Sequence, residues 1–285
     1  MTPLRAERVV PQGTLVAIGG NEDKKTDLTV LKAVCELPEG GTKVVEVIPT
    51  ASSIPEETGG QYIEVFRTVG AKTVNIMDIQ SREAANDPAN VQRILEADVV
   101  FFTGGDQLRI TNLLGGSAVL QTLLGHYQRG GVIAGTSAGA AAMSQAMIYQ
   151  GKAGTAMRKG TVQMSPGLGL IRNAVVDSHF TQRGRFSRLL EVVTGNPGVI
   201  GIGLDEDSAV VVRDGTKLEA IGSGIIVLVD GHEMRYSNIT DVQMGTPIAE
   251  EGIMLHTLTP GHGYDLEERR YIRPATASKP SAEDS

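Results

Sequence analysis

Val132-Ile133-Ala134-Gly135-Thr136-Ser137-Ala138-Gly139 joins a short apolar run to a stretch of helix formers across a turn of small residues. Val132-Ile133-Ala134 predicts a strand that is apolar on both faces, the habit of strands inside parallel sheets. Ala138 to Met147 is rich in helix formers and predicts a helix after it. Gly135-Thr136-Ser137-Ala138-Gly139 matches G-x-S-x-G, a strand-turn-helix elbow that exposes a serine hydroxyl. Its small residues permit the strained backbone such a turn requires.

The same rhythm repeats on both sides of the elbow. Leu15-Val16-Ala17-Ile18, Val44 to Ile48, Val74 to Met77 and Val99 to Phe102 are further apolar runs that stop at glycine or polar residues. Between them, Asp27 to Cys35, Gln61 to Val69, Pro88 to Leu95 and Ser117 to Tyr127 carry helical spacing. Alternating strands and helices of this kind predict a doubly wound, mostly parallel α/β sheet. Ala174 to Val176 and Ile200 to Leu204 add two more apolar runs. Beyond residue 200, Ser208 to Arg213, Lys217 to Ile221, Ile225 to Val229 and Ile253 to Leu258 predict antiparallel strands. They are separated by hairpin signals such as Asp214-Gly215 and Asp230-Gly231, and are expected to extend the sheet edge. No linker or internal repeat divides the chain, so residues 1–273 are expected to form a single catalytic α/β domain. Residues 274–285, a mixture of Ala, Ser, Pro and charge, predict a disordered tail.

Composition sets the outer limits. Glycine supplies 35 of 285 residues, tryptophan is absent and aromatics make up 4%, which fits many strands ending in tight backbone turns. A 41% hydrophobic content is enough for a core. Net charge is −7 and no basic stripe exists, so nucleic acid is not an expected partner. One cysteine, Cys35, excludes an internal disulfide and a multi-cysteine zinc site, and is expected to be a buried thiol. No run approaches the ~20 apolar residues of a membrane span, and Met1 to Arg5 lacks a secretory stretch. The expected location is the cytoplasm.

Ligands of parallel α/β sheets bind beyond the carboxyl ends of the strands. Ser137 there is the candidate nucleophile, and a serine needs a base held by a third group. Of five histidines, His126 is expected to sit on a helix surface or C-cap, His232 in a turn, His256 in a strand and His262 in a glycine loop. His179 follows the strand Ala174-Val175-Val176 directly and should emerge at the same edge as Ser137. One carboxylate of Asp205-Glu206-Asp207, after another strand, can accept from it. Oxyanion donors are the N–H of Ala138 and one from the Gly104-Gly105 turn, taken as Gly105. Three arginines, Arg183, Arg185 and Arg188, suit bidentate recognition of carboxylates.

Gly104-Gly105-Asp106-Gln107, the elbow, Asp177-Ser178-His179-Phe180 with its arginine trio, and Gly203-Leu204-Asp205-Glu206 together resemble the cyanophycinase family of peptidase E-like serine peptidases. The resemblance runs from Gly13 to about Tyr271. It implies a three-layer α/β/α sandwich like that of class I glutamine amidotransferases, with Ser137 as nucleophile, His179 as base and Glu206 as the orienting acid. It also implies a homodimer that hydrolyses cyanophycin, or a β-Asp-Arg-containing peptide, to β-Asp-Arg dipeptides without metal or cofactor. Gln107, Asp177, Arg183, Arg185 and Arg188 match the family's substrate pocket. Ser178, counted with that pocket, stands where the family pattern has glutamine, a departure that bears on specificity and not on the triad. Competing readings are a peptidase E-like Asp-X or isoaspartyl dipeptidase, and a non-catalytic ligand-binding amidotransferase-like domain. Gly19-Gly20-Asn21-Glu22-Asp23 lacks the lysine and spacing of a phosphate-binding loop, which counts against the last.

Overall fold

Strands with two apolar faces must be covered on both sides, and the computed structural model shows how this chain does so. It describes residues 10–40, 43–154 and 156–274. The start of the chain and the expected tail from residue 275 onward lie outside the described residues. Strands β1 (Thr14–Ile18), β2 (Val44–Ile48), β3 (Thr73–Ile76), β4 (Val99–Phe102) and β5 (Val132–Thr136) pair in parallel in the order β1-β5-β4-β2-β3. Helices α1 (Thr29–Glu36), α2 (Pro55–Thr68), α3 (Pro88–Glu96), α4 (Gln107–Leu114) and α5 (Ala118–Gln128) connect them.

Side chains alternate along a strand, and here both sets are buried. Val16, Ile18, Val45, Val47, Phe101 and Ala134 share a core with Val30, Leu31 and Val34 of α1 and Val65 and Phe66 of α2. Leu15, Ala17, Ile48, Val100, Phe102 and Ile133 pack on the opposite side with Ile94, Ile110, Val119 and Leu123 of α3, α4 and α5. Helix starts are chemically marked. Pro88 follows the capping Asp87, and Ser117 accepts from the Leu120 N–H. Helix α4, which periodicity did not reveal, begins where Asp106 accepts from the Leu108 N–H. Cys35 is buried in α1 as expected.

The remaining elements are α6 (Ala138–Ala142), β6 (Ala146–Gly151), β7 (Val162–Pro166), β8 (Ala174–Ser178), α7 (Phe186–Gly195), β9 (Ile200–Leu204), β10 (Ser208–Arg213), β11 (Lys217–Gly222), β12 (Ile226–Asp230), β13 (Tyr236–Ser237), β14 (Glu250–Glu251), β15 (Met254–Leu258), β16 (Gly263–Asp265) and β17 (Arg270–Ile272). Strands β10, β11, β16 and β17 extend the main sheet antiparallel from β1. Three expectations are corrected here. The helix expected over Ala138–Met147 stops at Ala142, because the backbone N–H groups of Leu168, Leu170 and Ile171 take the carbonyls of Ala142 and Met143. Strands β12 and β15 do not join the main edge. They form a second sheet, β15-β12-β9-β8, whose inner residues Val176, Ile202 and Leu228 pack on the main sheet while α7 covers its outer face. His126 is buried rather than on a helix surface, its ring lying where a side chain on Gly131 would stand.

The outer face of the second sheet fixes the chain just after His179. Phe180 is fully buried and packs on Gly203 of β9, where an added Cβ would come within 2.5 Å of its ring. Gly203→Ala is therefore expected to cost about 1–3 kcal/mol of stability through overpacking, read as a lower urea midpoint. An unchanged midpoint would show that the contact is not tight.

Candidate active site

A strand that ends against a helix start leaves the residue between them little conformational choice. Ser137, between β5 and α6, has φ 52° and ψ −106°, a costly conformation for a side-chain-bearing residue, of order 1–3 kcal/mol. It is held by its own N–H donating to the Ile18 carbonyl at 2.9 Å and its carbonyl accepting from the Ala141 N–H at 3.0 Å. Behind it, the Thr136 hydroxyl donates to Glu22 Oε2 at 2.6 Å, and the Tyr62 hydroxyl and Lys24 ammonium engage Glu22 Oε1. Glu22 is thus a buried carboxylate with its partners supplied.

The structure brings the three candidate catalytic groups into one line. Ser137 Oγ lies 3.0 Å from His179 Nε2, and His179 Nδ1 lies 2.7 Å from Glu206 Oε1. A proton on Nδ1 donates to the carboxylate and leaves Nε2 free to accept from the serine hydroxyl. The two flanking acids point elsewhere. Asp205 accepts from the Thr181 N–H and hydroxyl, and Asp207 from the Asp23 N–H and Ser223 hydroxyl. Glu206 Oε2 accepts from Asn21 Nδ2 at 2.9 Å. The N–H groups of Gly105 and Ala138 make no hydrogen bond among the described residues, so both are free to donate. A methyl on Gly104 would sit 3.9 Å from Ser137 Oγ, which places the glycine turn against the serine.

The expected substrate residues divide. Asp177 accepts from Arg188 Nε at 2.6 Å and from Arg188 Nη2, and also from Arg185 Nη1 at 3.0 Å. Arg188 and Asp177 are buried and satisfy each other, so the fork of Arg188 is occupied by a protein carboxylate. Arg185 also donates to the Ser178 carbonyl at 2.7 Å, and the Ser178 side chain is buried. Gln107 donates to the Ile148 carbonyl at 2.9 Å, tying α4 to β6. Arg183 is exposed and forms no ion pair among the described residues. Sequence reasoning missed Asn21 and Glu22. Their stretch was visible as a strand-end turn, but the partners that tie them to the site, Glu206 and Thr136, lie 185 and 114 residues away. Among the described residues no group of three or more His, Cys, Asp or Glu side chains could hold a metal ion.

Electrostatics follow from burial. Desolvation pushes the His179 pKa below its ordinary 6.5; the Glu206 hydrogen bond opposes this, and the Arg183 and Arg185 charges add to it. The hydrogen bonds from His179 and Asn21 hold Glu206 below the usual carboxylate range. At neutral pH the site therefore holds a neutral imidazole beside a carboxylate. By NMR titration of the imidazole, His179 is expected to deprotonate below pH 6.5, and Arg183→Gln to move that midpoint upward. A wild-type midpoint at or above 6.5 contradicts the assignment of burial as the dominant cause.

The sequence model of Peptidase family S51 matches residues 15–220. The cyanophycinase of Nostoc sp. is 38% identical over 273 residues, covering 93% of this chain and 91% of that one. The cyanophycinase of Geminocystis herdmanii is 35% identical over 264 residues, covering 92% and 96%. Among solved structures, a peptidase from an acI-B1 Actinobacterium superposes with a TM-score of 0.63 at 22% identity, over 90% of this chain and 98% of that one; at that identity it speaks for the fold. No helix among the described residues is long and apolar enough to cross a membrane.

Proposed function

The chain belongs to peptidase family S51, and from that premise we propose that it hydrolyses cyanophycin to β-Asp-Arg dipeptides, with Ser137, His179 and Glu206 as its catalytic residues. The observation that carries the mechanism is the unbroken line from Ser137 Oγ through His179 to Glu206, at 3.0 and 2.7 Å. The substrate reading is supported by the two cyanophycinases that resemble this chain over nine-tenths of its length.

Ser137 Oγ attacks the scissile carbonyl while its proton passes to His179 Nε2. Glu206 fixes the tautomer and stabilises the imidazolium that forms. The oxygen of the tetrahedral adduct accepts from the Gly105 and Ala138 N–H groups. Collapse breaks the amide bond, the leaving amine takes the proton from His179, and an acyl-enzyme remains. Water then attacks it, its proton passing to His179 and back to Ser137 as the acid product leaves.

Arg183 and Arg185 are the arginines assigned to substrate carboxylate. Arg183 has an open fork, and the charges of both arginines lower the pKa of the His179 imidazole, which supports this assignment. Arg188 and Asp177 are assigned to holding Arg185 in place, since their own charges are mutually satisfied. We extend the proposal to one catalytic unit over residues 1–273 and to a cytoplasmic homodimer.

Incubation with insoluble cyanophycin, followed by chromatography, tests the reaction and the substrate together. Release of β-Asp-Arg is expected, with Ser137→Ala and His179→Ala each slowing turnover by about 10³-fold or more, and Glu206→Gln lowering kcat with KM little changed. Cleavage of free Asp-X dipeptides with none of the polymer would assign a dipeptidase instead. Absence of any hydrolysis together with absence of labelling by a serine-directed fluorophosphonate would leave a binding domain.

A further inference from the structure

The residues at the end of β1 and just after it meet three separate parts of the site. Three consecutive carbonyls there accept from three separated segments. Ile18 takes the Ser137 N–H at 2.9 Å, Gly19 the His179 N–H at 2.8 Å, and Gly20 the Asp207 N–H at 3.0 Å. Nucleophile, base and the turn bearing the acid are thereby registered on one stretch of backbone. Gly20, with φ 100°, lies directly under the imidazole. An added Cβ would come within 2.4 Å of His179 Nε2, so a side chain there would displace the base.

The next residue is Asn21. Its φ of 46° is left-handed, a conformation asparagine adopts more readily than most side-chain-bearing residues. That backbone turns its amide toward Glu206, and Nδ2 donates to Oε2 at 2.9 Å. Glu206 needs such a partner. Its side chain keeps 30% of its surface exposed, unlike the largely covered His179. A solvated carboxylate with one oxygen on an imidazole is otherwise free to rotate about its last bond.

We propose that Asn21 is a positioning residue of the catalytic site, locking the Glu206 carboxylate in the plane that serves His179. The inference rests on the assignment of Ser137, His179 and Glu206 as the catalytic residues. The groups facing this pair are few. His179 faces Glu206, Arg183 and Arg185, and Glu206 faces His179, Asn21 and Arg183. Asp205 and Asp207 flank Glu206 in sequence but are turned to Thr181 and to Asp23 and Ser223. A charge introduced at position 21 therefore adds to the pair's own carboxylate, Glu206, beside the base.

Two variants separate positioning from structure. Asn21→Gly keeps the left-handed backbone and removes the amide. Asn21→Asp keeps the shape and places a second carboxylate against Glu206. Rates are read as the second-order labelling of Ser137 by a fluorophosphonate across pH, a readout that does not depend on the natural substrate, together with kcat and KM on the polymer. Asn21→Gly is expected to slow labelling and kcat about tenfold, with KM and melting temperature near those of the parent chain. Asn21→Asp is expected to slow them further and to move the acid limb to higher pH, because added negative charge favours the imidazolium. Parent-like rates and an unmoved acid limb in both stably folded variants overturn the proposal. Loss of polymer turnover by the parent chain, with labelling intact, would instead overturn the substrate assignment and leave this test standing.

Discussion

The site depends on one constraint: a hydroxyl carried by the main sheet and an imidazole carried by the second sheet must meet at hydrogen-bond distance. Side-chain contacts alone could not hold two sheets to that tolerance. The backbone does it, because the amides of Ser137 and His179 donate to the adjacent carbonyls of Ile18 and Gly19. The Phe180 N–H then donates to the Leu204 carbonyl at 3.0 Å, tying the same turn to the strand that leads into Glu206. Each of these bonds is worth only about 1 kcal/mol net. They act together because the strands delivering them are buried on both faces and cannot slide without exposing apolar surface.

Strain at the elbow fits into this picture. Ser137 and His179 both have positive φ, at 52° and 48°, so the candidate nucleophile and base each sit in conformations that isolated residues avoid. Around them the packing is dense and the side chains small. Helix α6 reads Ala-Gly-Ala-Ala-Ala and is buried throughout. Glu22, held by Thr136, Tyr62 and Lys24, braces the strand from behind. Burial favours the neutral imidazole of His179, and the charges of Arg183 and Arg185 act in the same direction.

Much of this was legible in the sequence because the informative signals were local. Val132 to Gly139 announced the elbow within eight residues, and the apolar runs ending in glycine announced the parallel strands and the edge to search. The choice of Glu206 over Asp205 and Asp207 came from family resemblance, since three neighbouring carboxylates look alike until their partners are known. What was illegible was non-local. The helix after Ser137 ends at Ala142 because residues 168–171 capture its carbonyls, and no composition records that. Strands β12 and β15 leave the main edge because β9 offers them a second sheet with two faces to cover. The engagement of Arg188 with Asp177 depends on a helix docking beside a strand end, so a trio of arginines read as three equivalent forks divides into one open, one shared and one closed.

The central claim is that Ser137, activated by His179, forms the covalent bond. Peptide mapping after stoichiometric inactivation by a fluorophosphonate tests it most directly. The account predicts that the phosphonyl group sits on Ser137 alone, at a stoichiometry that matches the loss of hydrolysis and disappears in His179→Ala. Inactivation with the label on any other side chain, or hydrolysis surviving complete labelling of Ser137, would contradict it.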